Sequence, residues 1–125
     1  RSVTALMDQA PVDETWCLIH STHLDDSEVA AIAASGATVG LCPLTESNLG
    51  DGIFRAVDFL AADGHFGIGS DSNICTQPMQ ELRTLEYSQR LLHRQRNILC
   101  SEQPPNVGSY LWQKAAHGGV SRRFC

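Results

Sequence analysis

The chain reads as an α/β protein with a parallel sheet, built as part of a (β/α)8 barrel. Short apolar runs are continuous rather than alternating, as expected of strands buried on both faces, and each is followed by a helical pattern closed or preceded by glycine. At 125 residues with 42% hydrophobic side chains, the chain is long enough for one globular unit. The pattern alone hardly separates a doubly wound sheet from a (β/α)8 barrel, but three strand-helix units would leave two open sheet edges, and a closed eightfold barrel takes about 250 residues. The sequence is therefore expected to be the back part of a larger barrel, in keeping with its start at Arg1 without an initiator Met.

Residues 15–20, T-W-C-L-I-H, predict a first strand ending on His20. Asp25 and Asp26 are placed to cap a following helix, with Glu28 in its first turn and Gly36 as its stop. Residues 37–42 predict a second strand, residues 44–52 a long loop, and residues 52–62 a helix with Ile53, Val57 and Leu60 on one face. Gly64 closes that unit, and residues 66–70 predict a third strand leading into Asp71. Pro78 then opens a long helix reaching about residue 98, with Arg90, His93, Arg94 and Arg96 near its C-terminal end. A proline-containing loop and a short helix over residues 107–116 follow. The barrel segment is expected to occupy residues 1–120, with 121–125 as an irregular or truncated tail.

A net charge of −5 and a pI near 5.4 argue against general affinity for nucleic acid or acidic membranes. No apolar stretch approaches the roughly 20 residues that span a bilayer, and residues 1–10 lack the order of a signal peptide. The five cysteines are odd in number and widely spaced, so no disulfide framework is expected, and Cys17 and Cys42 read as small buried hydrophobes. A cytoplasmic protein acting on a small molecule, as a monomer or a homo-oligomer, fits this composition. Gly67 and Gly69 do not form a phosphate loop, because no G-x-x-x-x-G-K-[ST] pattern follows.

In parallel α/β folds, functional residues gather at the C-terminal ends of the strands, where His20, the loop after Cys42 and Asp71 fall. A hydrolytic zinc centre needs neutral imidazoles and at least one carboxylate, with one position left for water. Asp71 can be that carboxylate and can also take a proton from the water, while His20 can polarise the group under attack. The same residues have plainer readings, Asp71 as a helix cap or turn residue and His20 as a packed histidine. His23 reads as a loop histidine, and His65, His93 and His117 as solvated or satisfied side chains. Glu46, Asn48 and Asp51 are candidates to touch substrate or to lid the site, or else to shape turns.

Four segments taken together resemble the amidohydrolase superfamily. They are L-I-H-S-T-H-L-D-D-S-E (residues 18–28), G-L-C-P-L-T-E-S-N-L-G-D-G-I-F (40–54), F-G-I-G-S-D-S-N (66–73) and E-L-R-T-L-E-Y-S-Q-R-L (81–91). The second and fourth are the more specific, and within the superfamily they resemble the formimidoylglutamate deiminases of histidine degradation. Guanine and other aminohydrolases usually carry His-Cys-Pro-x-Ser-Asn where this chain has Gly40-Leu41-Cys42-Pro43. The resemblance implies a distorted (β/α)8 barrel of which this chain forms strands six to eight. It makes Asp71 a catalytic zinc ligand and proton shuttle, and His20 the histidine beside the reacting group. One Zn2+ is implied, with its other ligands, a His-x-His pair and a further histidine, upstream of this chain. The implied reaction is hydrolysis of N-formimidoyl-L-glutamate to N-formyl-L-glutamate and ammonia, with the 125-residue chain inactive alone. Asn73 departs from the pattern, which has a histidine there. Two other readings stay open: a deaminase of guanine or triazine type, and a non-catalytic α/β binding module.

Overall fold

The computed structural model describes residues 2–99. Its elements run α1 (Ser2–Gln9), β1 (Cys17–Ile19), α2 (Asp26–Ser35), β2 (Thr38–Leu41), α3 (Pro43–Leu49), α4 (Ala56–Ala61), β3 (His65–Ile68) and α5 (Pro78–His93). The helix expected over residues 107–116 and the tail from Ser121 lie outside the described residues.

The three strands form one parallel sheet in the order β1-β2-β3. Leu18 pairs with Val39 and Val39 with Phe66, while Gly40 sits between Ile19 and Gly67. The central strand is the buried one, with Val39 and Leu41 fully enclosed. β1 and β3 flank it less completely, and Ile19 is 48% exposed. Burial on both faces therefore holds for β2 but only in part for its neighbours. Apolar side chains from the helices and connecting segments complete the core, including Ile32, Phe54, Phe59 and Leu85. Phe54 and Phe59 meet edge to face, with ring centroids 5.4 Å apart at 72°, a favoured aromatic geometry.

The first helix after the sheet start forms for the reasons read from the sequence. Asp25 accepts the backbone N–H of Glu28, Glu28 reaches back to the N–H of Asp25, and Gly36 closes α2 in the left-handed region at φ 77°. Glu28 does a second job, because its other oxygen accepts both the N–H and the hydroxyl of Thr4, docking α1 onto α2. These bonds, first among them that from the Asp25 N–H, hold the Glu28 carboxyl below its ordinary pKa. Arg55 joins α2 to the start of α4 through Asp26 and Asp58, each at 2.6 Å.

The long loop expected over residues 44–52 is corrected by the structure, since Pro43–Leu49 forms α3. Pro43 stands in its first turn, the Glu46 carboxylate turns back to the N–H of Cys42 at 2.8 Å, and Gly50 ends it at φ 67°. The following helix is correspondingly shorter than residues 52–62, because Gly52 at φ 121° turns the chain and Phe54 enters the core before α4 begins. α5 likewise ends at His93, where Arg94 adopts a left-handed conformation at φ 54°. Cys42 is a buried free thiol as expected, whereas Cys17 is only half-buried.

The inner face of α5 carries an unusual number of polar groups, and each serves the backbone of another segment. Glu81 accepts the N–H of Leu44 at 2.8 Å. Glu86 accepts the N–H groups of Ile98 and Leu99 at 3.1 and 2.7 Å as well as Arg90 Nε at 2.6 Å. Gln89 donates to the carbonyl of Phe54 at 2.8 Å. Such partners offset much of the cost of burying polar groups, although Glu81 Oε1 and Gln89 Oε1 have none among the described residues. These bonds make the helix a clamp over the segments it contacts.

Candidate active site

The sheet register decides what meets at its C-terminal end. The parallel ladder runs one residue past β1 and β3, with His20 N–H bonded to Gly40 O at 2.7 Å and Gly69 N–H to Leu41 O at 2.8 Å. His20, Cys42 and Asp71 are thereby delivered to the same rim. The chain turns sharply there, with His20, Ser21 and Asp71 at φ 68°, 50° and 50°. Left-handed backbone in a residue other than glycine costs about 1–3 kcal/mol and persists where the surroundings enforce it, often at functional sites.

The two residues singled out from the sequence are brought together: His20 Nε2 lies 3.9 Å from Asp71 Oδ2. Both remain open to solvent, with side chains 36% and 42% exposed. On its other side, His20 Nδ1 is 3.2 Å from Glu46 Oε1, the same oxygen that accepts the Cys42 N–H. Glu46 is not at the rim itself but beneath it, with its side chain only 6% exposed. Asn48 lies on the exposed part of α3. Asp51 belongs to a neighbouring group, where its two oxygens meet the Thr22 hydroxyl at 2.9 Å and His23 Nε2 at 3.6 Å. Asn73 uses its side-chain oxygen locally, accepting the N–H of Cys75 at 2.9 Å. His65 and His93 are exposed.

Sequence reasoning did not single out Thr45 or Glu81 as parts of this region, and it read Cys42 as a small buried hydrophobe. Thr45 is buried and donates to Ser70 O at 3.1 Å, tying α3 to the turn that carries Asp71. The Cys42 thiol is pushed up to about 11, first by burial and then by the charges of Glu46, Asp71 and Glu81. It is therefore a neutral filler at physiological pH and no nucleophile. Burial also raises the Glu81 carboxyl, against the lowering effect of the Leu44 N–H, and one of its oxygens has no partner among the described residues. The signal for Glu81 was the E-L-R-T-L-E-Y segment, whose first residue it is.

Among the described residues no group of three or more His, Cys, Asp and Glu is placed to hold a metal ion. Asp71 nevertheless has the chemistry of one ligand, a solvent-open carboxylate at a strand end with an imidazole beside it. The pair alone offers a carboxylate to share a proton and an imidazole nitrogen at the same small volume, the elements of acid-base hydrolysis. No helix among the described residues is long and apolar enough to cross a membrane.

Comparison with known proteins places this geometry in a family. Over 120 residues the chain is 52% identical to formimidoylglutamate deiminase of Pseudomonas aeruginosa, a match covering 96% of this chain and 26% of that protein. It is 29% identical over 103 residues to 5-methylthioadenosine/S-adenosylhomocysteine deaminase of Pyrococcus abyssi, covering 80% of this chain and 24% of the relative. The crystal structure of an amidohydrolase from Brucella melitensis superimposes with a TM-score of 0.84 at 52% identity, over 95% of this chain and 26% of that one. The chain thus spans about a quarter of the length of the relatives it matches. The model of the amidohydrolase family matches residues 2–103, and the chain belongs to that family.

Proposed function

We propose that the chain forms strands six to eight, with their helices, of a cytoplasmic zinc-dependent deiminase that hydrolyses N-formimidoyl-L-glutamate to N-formyl-L-glutamate and ammonia. The observation that carries this reading is the meeting of His20 and Asp71 at one sheet rim, in a chain with 52% identity to a curated deiminase of that substrate. In this assignment β1, β2 and β3 are the sixth, seventh and eighth barrel strands, and the open edges of the sheet pair with the rest of the barrel.

The reaction forms a carbon–oxygen bond between water and the formimino carbon and breaks the carbon–nitrogen bond to the departing ammonia. The chemistry supplied by a bound zinc ion is a water molecule acidified to near neutrality. Asp71 would hold that ion, beside further ligands from outside this chain. Its carboxylate would accept a proton from the attacking water and return it to the leaving nitrogen. His20 presents Nε2 to the same volume and steadies charge as it develops on the amidine. Asn48, exposed on α3, faces substrate. A chain with one such carboxylate and two open edges is inactive by itself and associates or unfolds.

A second reading, a deaminase acting on a ring amidine, draws on the similarity to the 5-methylthioadenosine/S-adenosylhomocysteine deaminase. The test is to express the protein with its coding sequence extended upstream and to measure ammonia release from N-formimidoyl-L-glutamate, 5-methylthioadenosine and guanine, with and without chelator. Chelator-sensitive release from the first substrate alone is expected. Release from a purine substrate alone would shift the assignment to the second reading.

A further inference from the structure

We infer that Glu46 is the positioning residue for His20, fixing its ring orientation and its tautomer, in place of the substrate contact expected from the sequence. The inference rests on the deiminase reading for its functional meaning, but its geometry stands apart from it. Glu46 Oε1 accepts the Cys42 N–H at 2.8 Å, so this oxygen acts as an acceptor. His20 Nδ1, 3.2 Å from the same oxygen, is then the donor. In the neutral ring, the proton on Nδ1 leaves the Nε2 lone pair facing Asp71 and the reaction volume.

Burial favours this role over substrate binding. The Glu46 side chain is 6% exposed, against 36% for the imidazole that covers it. So little exposed surface leaves this carboxylate poorly placed to meet a substrate directly. The local backbone does not set the ring by itself either, because His20 and Ser21 lie in the left-handed region at a strand exit with no regular structure beyond.

Three consecutive residues make α3 a strut between the working parts. Leu44 is held from α5 by Glu81 at 2.8 Å, Thr45 holds the turn before Asp71 through Ser70 O at 3.1 Å, and Glu46 holds His20 at 3.2 Å. The two halves of the His20–Asp71 pair are thus both referred to the same turn of helix. Partners of this kind, which orient a reacting side chain without touching substrate, typically contribute about 10- to 100-fold in activity.

The experiment uses the complete enzyme, with the histidine rings followed by 15N NMR and the His20 signal assigned by its loss in His20→Asn. Wild type and Glu46→Gln are expected to keep the proton on Nδ1, whereas Glu46→Ala loses that preference. In turnover, Glu46→Ala is expected to lower kcat by about 10- to 100-fold with KM little changed, and Glu46→Gln to restore most of the loss. An unchanged ring signal in Glu46→Ala, or a rise in KM at constant kcat in either variant, would overturn the inference. If Glu46→Ala does not fold, Glu46→Gln decides through its ring signal and the same split between KM and kcat. Wild-type enzyme without formimidoylglutamate turnover would overturn the deiminase reading, while the ring signals would still decide the role of Glu46.

Discussion

The rim of the sheet and the layer beneath it hold their polar groups in opposite ways. At the rim, His20 and Asp71 are partly exposed, stand on left-handed backbone, and lie 3.9 Å apart. Beneath, Glu46, Glu81, Glu86 and Gln89 are buried, and each is bonded to backbone of another segment or of the strand exit. Groups that exchange protons must stay accessible, so they contribute little to holding the fold. Groups that aim them can be buried, and there each hydrogen bond secures a segment whose displacement would move the rim.

The comparison is sharpened most by separating rate from stability. His20→Asn, a residue that tolerates the left-handed backbone, is expected to lower kcat of the complete enzyme by about 10²–10⁴-fold while costing only about 1 kcal/mol of stability through the lost bond to Glu46. Steady-state kinetics beside a denaturant melt checks both halves. Glu86→Ala should behave in the opposite way. It leaves the buried Leu99 N–H and the Ile98 N–H without an acceptor, at a cost of about 2–4 kcal/mol, with kcat per folded molecule unchanged.

Gly64→Ala probes the same layer through packing. An added Cβ would stand 2.5 Å from the Phe59 ring, which is fully buried, and the expected loss is about 1–3 kcal/mol in a thermal or denaturant melt. The smallest effect concerns Glu81. Its carboxyl is raised in the folded state, so the folded protein binds that proton more tightly than the unfolded chain does. The associated stability is present at low pH and is lost as pH rises from the unfolded to the folded pKa. Glu81→Gln keeps an acceptor for the Leu44 N–H and should flatten that part of the stability profile. A difference in stability between wild type and Glu81→Gln that grows in favour of wild type as pH rises across this window would contradict the sign.

How much of this was legible in the sequence differs between the same two layers. The strands, α2 with its capping pair, and the positions of His20 and Asp71 follow from local pattern, because apolar runs and caps act over a few residues. α1 was missed because its eight residues gain their order from a distant partner, the bonds of Thr4 to Glu28. α3 was missed because T-E-S-N followed by G-D-G has the composition of a loop, and what makes it helical is the return of Glu46 to Cys42 and the anchoring of Leu44 by Glu81. The burial of Glu46 is likewise a tertiary fact. A carboxylate in a polar segment reads as a surface group until the fold closes over it.

The most direct test of the account is to purify the upstream-extended protein as wild type and as Asp71→Asn, and to measure bound zinc and ammonia release from N-formimidoyl-L-glutamate side by side. Asparagine fits the left-handed backbone at this position and keeps the shape of aspartate while removing its charge. The account predicts a folded variant with sharply reduced zinc content and ammonia release at background. A variant that binds zinc and releases ammonia as the wild type does would contradict the placement of Asp71 at the reacting centre.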